Sequence, residues 1–268
     1  MTVDTATGTR RPRIRVRRIL FAVLLVALLA EGAVILSTVR AYLRTTPVYD
    51  PPVLAGQLAP GHCSAGFYAR HGSQVVLTTS AHCGSEGEVV TAADGTLFGV
   101  LGPSARLEPC PHPDRACAGS DMNAITVEPD HLPWGHLNEV DLGAGGYRVI
   151  ADGARPLACG DIAAGDRAEV NGSLKFRDGS VLEKGENNFA DDVYFPCIVA
   201  TSITGQVGDS GGAVIVNGQP AGITSRVFGT HLAFTPLAEG LEELGLELCT
   251  TPDCGLVPPA VSPPASSR

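Results

Sequence analysis

Residues 206–216, QVGDSGGAVIV, set an acid and a serine among three glycines and then run into an apolar strand. Glycines concentrate where the backbone needs unusual dihedral angles or where another group approaches it closely. We therefore expect the hydroxyl of Ser210 on a tight turn with accessible backbone amides around it. Such a turn suits a nucleophile beside an oxyanion site. Without a base and an orienting acid elsewhere, the same residues would be only a glycine-rich hairpin.

Candidates for the base and the acid occur earlier in the chain. A serine hydroxyl is a weak nucleophile at neutral pH and needs an adjacent base. His82, in VVLTTSAHCG, follows an apolar strand pattern, and Asp121, in CAGSDMNAITVEP, leads into another. Each residue alone has an ordinary interpretation, as a packed or surface histidine and as a turn aspartate. Asp114, in the loop PHPDRAC, is the reserve candidate for the acid.

The order of the three residues separates two classes of hydrolase. The α/β-hydrolases also have a G-x-S-x-G motif, but their catalytic order is serine, acid, histidine, and a helix follows the serine. Here the order is His82, Asp121, Ser210, and a strand and turn follow, as in the two-barrel serine peptidases. In TTSAHC, GSDMNAITV and VGDSGGAVIV the chain resembles the trypsin and chymotrypsin family. HCSAGF, AGITSR and AFTPLAEGLEELGL are more similar to its bacterial branch, the streptogrisin and α-lytic type.

The pattern of short segments predicts an all-β fold. Between residues 61 and 250, short β-branched runs alternate with Gly, Asp and Asn at spacings typical of a barrel or sandwich. The resemblance implies two six-stranded antiparallel β-barrels packed face to face, forming a peptidase domain over residues 61–250. A C-terminal helix is expected in PLAEGLEELGLEL, because four leucines recur at three- and four-residue steps: Leu237, Leu241, Leu244 and Leu248.

The resemblance also implies a role for each site residue. Ser210 would attack a peptide carbonyl, His82 would accept its proton, and Asp121 would hold the imidazole tautomer. The backbone N–H groups of Gly208 and Ser210 would stabilise the oxyanion. The expected activity is that of a serine endopeptidase acting on a protein or peptide substrate, with no cofactor. A trypsin-fold binding protein whose catalysis has lapsed, and an esterase with the same triad, are the alternatives.

The residues expected at the substrate pocket depart from the family pattern. Thr204, six residues before the nucleophile, is uncharged, so we expect Thr204, Ser225 and Val227 to accept small or apolar side chains rather than basic ones. Arg226 and Val227 stand where relatives often have glycines that bind substrate backbone, which predicts narrow or blocked binding. Asp209 lacks the freed N-terminus that pairs with this acid in animal enzymes, so it needs another partner.

The start of the chain predicts a membrane anchor. Six arginines in residues 10–18 precede a 21-residue apolar run, residues 19–39, which contains one charge, Glu31. Such a run is long enough to cross a bilayer, and flanking arginines keep their side in the cytoplasm. We therefore expect residues 1–18 to be cytoplasmic and the main domain to be extracellular. A signal peptide cleaved near residue 30 is the alternative, and it would make the protein secreted.

Two further segments flank the predicted domain. Residues 40–60 are rich in proline and weak in periodicity, so we expect a linker between membrane and domain. Residues 251–268 form a tail rich in proline and serine.

Charge and cysteine content exclude other classes. After residue 46 the chain has 11 basic and 26 acidic residues, a surface that repels phosphates, so nucleic acid is not an expected partner. Eight cysteines, all after the apolar run, suggest an oxidising compartment. Zinc is the rival use of cysteine, but no CxxC pair occurs, and His131 and His136 are more typical of a loop, so no metal is expected.

The resemblance implies one disulfide, Cys63–Cys83, since the family pairs the cysteine beside the histidine with one about twenty residues earlier. By proximity in sequence we expect two short bridges, Cys110–Cys117 and Cys249–Cys254, which leaves Cys159–Cys197. Eight cysteines allow about 105 pairings, so this set is a hypothesis beyond the first bridge.

Overall fold

Two β-sheets of seven strands each, together with one two-stranded hairpin, make up the fold. A computed structural model describes residues 48–49, 51, 53–57, 63–111, 116–171, 176–188 and 193–258. The strands, in chain order, are β1 Val48–Tyr49, β2 Tyr68–His71, β3 Gln74–Thr79, β4 Val89–Ala92, β5 Leu97–Leu101, β6 Ala116–Cys117, β7 Asn123–Val127, β8 Glu139–Asp141, β9 Tyr147–Val149, β10 Arg167–Asn171, β11 Phe176–Asn188, β12 Val193–Thr204, β13 Ala213–Val216, β14 Gln219–Phe228, β15 His231–Pro236 and β16 Glu247–Leu248.

The helical elements are short. One α-helix, α1 Leu237–Glu243, lies between β15 and β16, and four 3₁₀ turns occur among the described residues: Ala81–Cys83, Pro129–His131, Gly143–Gly145 and Cys159–Asp161. The prediction of an all-β fold is therefore confirmed.

The first sheet has the strand order β1-β4-β5-β7-β3-β2-β16. Its pairs are antiparallel except β1 with β4, which is parallel. Its core consists of large apolar side chains with almost no solvent exposure, among them Phe67, Tyr68, Phe98, Leu101 and Ile125. Burial of this kind contributes about 1.5–3 kcal/mol per side chain and is the main reason that the sheet is stable.

The second sheet is a closed barrel. Its order is β11-β10-β13-β14-β15-β12, and β11 pairs again with β12, which completes a ring of six antiparallel strands. Strand β6 is added to β12 in parallel. The interior holds a second apolar cluster that includes Val170, Val199, Val214, Leu232 and Phe234.

The predicted pair of six-stranded barrels is thus right for the second sheet and wrong for the first. In the described residues the end strands β1 and β16 do not pair with each other, so the first sheet stays open. Each end strand is only two residues long, and within the described ranges each pairs with one neighbour.

The C-terminal helix is shorter than the leucine pattern predicts. It ends at Glu243, and Leu248 lies in β16 instead. Gly245 has a φ of 62°, a left-handed conformation that favours glycine and commonly terminates helices. The N–H of Leu246 then donates to the carbonyl of Leu241 at 2.8 Å, which satisfies one of the last helical acceptors.

Residues on both sides of the predicted peptidase domain, 61–250, contact it. Val53 and Ala55, in the predicted linker, are buried, and the Tyr68 hydroxyl donates to the Val53 carbonyl at 2.6 Å. At the other end, Cys254 is buried, and the carbonyl of Pro252 accepts a hydrogen bond from the N–H of Leu137. These residues of the predicted linker and tail therefore make tertiary contacts.

Four disulfides connect the eight cysteines in the pairs proposed from the sequence. Cys63–Cys83 joins the loop before β2 to the 3₁₀ turn after β3, and Cys159–Cys197 joins another 3₁₀ turn to β12 of the barrel. The other two bridges close loops of seven and five residues.

The predicted cytoplasmic segment and anchor, residues 1–39, lie outside the described residues. Within the ranges given above, no helix has both the length and the apolar character needed to cross a membrane.

Candidate active site

His82 is presented on the 3₁₀ turn that follows strand β3. The strand is buried from Val75 to Thr79, and Cys83 is buried in its bridge to Cys63, so the turn is held on both sides. The His82 side chain keeps 43% of its surface exposed. The local structure therefore directs one imidazole out of an otherwise buried segment.

Asp121 lies beneath this imidazole with only 3% of its surface exposed. Its Oδ2 is 2.8 Å from Nδ1 of His82, and its Oδ1 accepts a hydrogen bond from the His82 backbone N–H at 3.3 Å. Thus both carboxylate oxygens contact the same residue, 39 positions away in the chain. This arrangement engages Nδ1 of the imidazole with the buried carboxylate.

The second sheet also binds Asp121. The hydroxyl of Ser225, on β14, donates to Oδ2 at 2.6 Å, and the backbone N–H of Asp121 donates to Oγ1 of Thr235, on β15, at 2.9 Å. The sequence analysis assigned Ser225 to the substrate pocket and did not single out Thr235. Nothing local marks either residue, since both reach Asp121 only through the packing of the two sheets.

These contacts govern the charge of the acid. Burial by itself would raise the pKa of the Asp121 carboxyl, but several interactions oppose it. The positive charge and hydrogen bond of His82, the Ser225 hydroxyl and the charge of Arg226 together hold the pKa of Asp121 below its ordinary value. Asp121 is therefore an anion at neutral pH.

Helix α1 supports the segment that carries the acid. Oε1 of Glu243 accepts a hydrogen bond from the N–H of Gly119 at 2.7 Å, two residues before Asp121. A Cβ on Gly240 would lie 2.7 Å from both the Met122 and the Ser120 side chains, so the helix packs closely against this segment. Partial burial raises the pKa of Glu243.

Ser210 sits on the expected tight turn. Gly208 and Gly211 on either side have φ angles of 94° and 86°, which glycine adopts without strain. Ser64, a fully buried residue that the sequence analysis did not single out, fastens the turn. Its N–H donates to the Ser210 carbonyl at 2.6 Å, and its hydroxyl donates to the Gly208 carbonyl at 2.7 Å.

Close packing brings the serine turn beside the end of β3. A Cβ on Gly211 would collide with the Thr79 side chain and the Ser64 carbonyl, and it would lie 3.1 Å from the Ser80 nitrogen. The Ser80 hydroxyl in turn donates to the carbonyl of Thr224 on β14 at 2.6 Å. The residues next to Ser210 therefore pack against the residues that lead into the His82 turn.

Two backbone amides at the serine turn are available to a ligand. Within the part of the chain that the structure describes, neither the N–H of Gly208 nor that of Ser210 donates a hydrogen bond. The intervening N–H, of Asp209, donates to the Gln206 carbonyl at 3.2 Å. The two amides predicted to stabilise an oxyanion thus remain open on the turn.

Asp209 has the alternative partner that the sequence required. Its side chain is 1% exposed, and its Oδ1 lies 2.7 Å from Nη2 of Arg177, on β11, at ion-pair distance but without hydrogen-bond geometry. Its other oxygen accepts from the Gln206 N–H at 2.7 Å. Arg177 also donates to the carbonyl of Thr204, which links the acid to the end of β12.

Known proteins share this architecture. No protein-family model matches the chain. Streptogrisin-C of Streptomyces griseus is 26% identical over 206 residues, which is 71% of this chain and 39% of that protein. The chain therefore spans well under half the length of this relative.

Solved structures of bacterial proteases also resemble this chain. Protease A of Thermobifida fusca superposes with a TM-score of 0.55 at 24% identity, covering 73% of this chain and 97% of that chain. A chymotrypsin of Cellulomonas bogoriensis has a TM-score of 0.55 at 21% identity, covering 74% and 99%. The chain has the chymotrypsin-like fold of bacterial serine peptidases. The resemblance inferred from the sequence is confirmed.

On this chymotrypsin-like fold, the three residues predicted for the primary pocket have different environments. Thr204 is exposed at the end of β12, and Ser225 is buried against Asp121. Val227 is 40% exposed, and a Cβ on Gly205 would lie 2.5 Å from its side chain. Val227 therefore stands over the strand end that carries Thr204.

Other candidates from the sequence lie apart from this site or outside the described residues. Asp114, the reserve acid, is outside them. Nδ1 of His136 lies 3.1 Å from Oε2 of Glu139, and His131 stacks on Phe98 with ring centroids 5.8 Å apart.

One group of potential metal ligands does lie at the site. Potential ligand atoms of Cys63, His82 and Cys83 lie within 4.8 Å of one another. Both sulfurs are joined in a disulfide, however, and metals bind the thiolate, so this set does not fit a metal ion.

Proposed function

We propose that the chain is a serine endopeptidase that hydrolyses peptide bonds through Ser210, His82 and Asp121 with an acyl-enzyme intermediate. The observation that carries the proposal is the 2.8 Å contact between Nδ1 of His82 and buried Oδ2 of Asp121. It orients the imidazole and supports the positive charge that develops when Nε2 accepts a proton. The names of the relatives, proteases and a chymotrypsin, agree with this activity.

In the acylation half, Oγ of Ser210 attacks the scissile carbonyl carbon while its proton passes to Nε2 of His82. The carbonyl oxygen becomes an oxyanion, and the N–H groups of Gly208 and Ser210 donate to it. Each such donor is worth about 2.7–4 kcal/mol in comparable sites. The intermediate then collapses, the C–N bond breaks, and the imidazolium returns its proton to the leaving amine.

In the deacylation half, water replaces the amine. His82 accepts a proton from water as the oxygen attacks the ester carbon, and the same two amides bind the second oxyanion. Breaking the ester bond returns the proton to Oγ of Ser210 and releases a carboxylic acid. Asp121 stays ionised throughout, as its lowered pKa allows.

A fluorophosphonate probe tests the nucleophile. The probe phosphonylates an activated serine, so wild-type protein should be labelled at Ser210, which mass spectrometry would locate. Ser210→Ala should remove both labelling and peptide turnover, whereas the matched change Ser85→Ala, at an exposed serine, should remove neither. Labelling of a different serine with retained turnover would refute this assignment.

The side chains of strand β14 favour one alternative to a peptidase. Arg226 and Val227 place bulky side chains on β14, so a binding protein without turnover is the second candidate. Folded wild-type protein that ignores the probe, peptides and esters alike would establish that reading. Hydrolysis of esters without any peptide cleavage would instead identify an esterase.

We further propose that the domain is extracytoplasmic and tethered to the membrane through residues 19–39. The arginine-rich start, the apolar run and four disulfides support this placement. Protease added to intact cells should remove a C-terminal tag and spare an N-terminal one. Recovery of the full-length chain in the cytosolic fraction would contradict the topology, and recovery of a chain cleaved near residue 30 would support secretion.

A further inference from the structure

Two arginines line a cavity that His82 also lines. The cavity has a volume of about 340 Å³, and its walls include His82, Asp121, Phe195, Arg106 and Arg226. The walls come from both sheets, so the cavity opens where the two meet. Thr204 and Val227, expected at the primary pocket, do not line it. It is therefore distinct from the expected primary pocket.

The contacts of Arg226 at this cavity include one with an aromatic ring and one with a hydroxyl. Its guanidinium carbon lies 5.3 Å from the centroid of the Phe195 ring, and its Nε donates to the Ser225 hydroxyl at 3.3 Å. Strand β14 has an irregular register with β15 between Thr224 and Arg226. Such a bulge re-aims side chains, and here Ser225 binds the acid while Arg226 lines the cavity.

The local charge contrasts with the rest of the domain. After residue 46 the chain has only 11 basic residues against 26 acidic ones, and two of those basic residues line this one cavity. Among the described residues of the wall, Asp121 is the one acid, and it is engaged by His82 and Ser225. The planar guanidinium of arginine matches a carboxylate in shape and charge.

We propose that this cavity binds an acidic side chain of the peptide substrate, with Arg226 as the specificity-determining residue and Arg106 at the exposed rim. The inference rests on the proposed peptidase function. Arg226 stands between Ser225 and Val227 on β14, so the acidic residue lies within about three residues of the cleaved one, or about 10 Å of extended chain.

Matched peptides test the proposal. A neutral parent peptide with a small residue before the cleaved bond carries Glu or Gln at one neighbouring position at a time. The wild type should cleave the Glu peptide with a kcat/KM about tenfold higher than its Gln counterpart at one position, equivalent to about 1.4 kcal/mol, because a hydrogen bond to a charged group is stronger than one between neutral groups. The ratio should fall as salt is raised.

The variant Arg226→Gln should reduce the Glu-to-Gln ratio to below about twofold. Arg155→Gln removes the same charge at an exposed residue outside the cavity, and it should leave the ratio at the wild-type value. The ratio is taken within each variant, so a general loss of rate cancels. If Arg226→Gln is too slow to assay, binding of both peptides to Ser210→Ala and to Ser210→Ala with Arg226→Gln gives the same comparison.

The outcomes distinguish a failure of this inference from a failure of the proposed peptidase function on which it rests. A probe-labelled enzyme that cleaves Glu and Gln peptides equally at every position overturns the acidic preference and leaves the peptidase intact. A preference that survives Arg226→Gln overturns the role of Arg226. An enzyme that is neither labelled nor active on any peptide overturns the proposed function itself.

Discussion

The two sheets of this protein contrast in closure and in what they supply to the site. The first is open and carries His82 and Asp121 on the segments around its strands, whereas the second is a closed six-stranded barrel that carries Ser210 and Ser225. Asp121 is bound from both sides, by His82 and by Ser225. The comparison teaches that neither sheet alone carries the proposed triad, so the proposed chemistry requires their junction.

The largest effect on activity is expected from substitution of Asp121, the acid that is bound from both sheets. Asp121→Asn should lower kcat by about four orders of magnitude, because an amide favours the wrong imidazole tautomer; a loss of this size is known for the equivalent substitution in a Ser-His-Asp triad. Steady-state peptide kinetics measure it. Asp94→Asn, at an exposed turn, is the control. Full activity of Asp121→Asn combined with inactivity of Asp114→Asn would move the acid to Asp114.

Core truncation asks whether the open and closed sheets unfold together. Phe98→Ala in the first core and Phe234→Ala in the second should each lower the free energy of unfolding by about 3–5 kcal/mol, since both rings are fully buried. Urea denaturation followed by fluorescence and circular dichroism measures this. One shared transition in both variants would show a single cooperative unit. A second transition left unchanged by Phe98→Ala would show that the barrel unfolds independently.

Disulfide removal sharpens the contrast between stability and activity. Replacing either Cys63 and Cys83 or Cys159 and Cys197 by serine should destabilise the fold by about 2–5 kcal/mol. The first pair adjoins His82, so its loss should also lower kcat in the folded protein, whereas the second should affect stability alone. Kinetics below the melting temperature and thermal denaturation separate the two. Equal kinetic losses in both variants would contradict the distinction.

A smaller effect on kcat is expected from loss of the hydrogen bond between Ser225 and Asp121. Ser225→Ala removes one hydrogen bond to Oδ2 of Asp121 and should lower kcat about tenfold, the equivalent of about 1.4 kcal/mol. Ser225→Thr, which keeps a hydroxyl, should recover part of the rate. No change in Ser225→Ala would mean that the contact with His82 alone maintains the acid.

The smallest effect concerns pH. The folded pKa of Asp121 is lowered from its ordinary value of 3.8, so its ionisation stabilises the fold fully above that value. This contribution is lost as pH falls through the lowered folded pKa. The stability difference between wild type and Asp121→Asn should therefore be largest above about pH 4 and narrow in stronger acid. Urea denaturation at a series of pH values measures this difference. A difference that widens in acid would mean that the folded pKa of Asp121 is raised and not lowered.

Particular residues show how far the sequence could predict the site. The order of His82, Asp121 and Ser210, together with the glycines around the serine, indicated both the fold and the candidate triad. Ser64 and Thr235 were missed, because a buried serine or threonine carries no periodic or motif signal. Their hydrogen bonds join segments that are far apart in the chain.

What the sequence by itself determined was the all-β class, the motif order and a glycine-rich turn for Ser210, since these depend on local backbone preference and residue chemistry. Only the tertiary structure decided which sheet closes and where the helix stops. It also decided that Arg177 pairs with Asp209 and that Ser225 reaches Asp121. These features depend on distances between strands remote in sequence, and such distances are set when two apolar cores pack and bring their buried polar groups together.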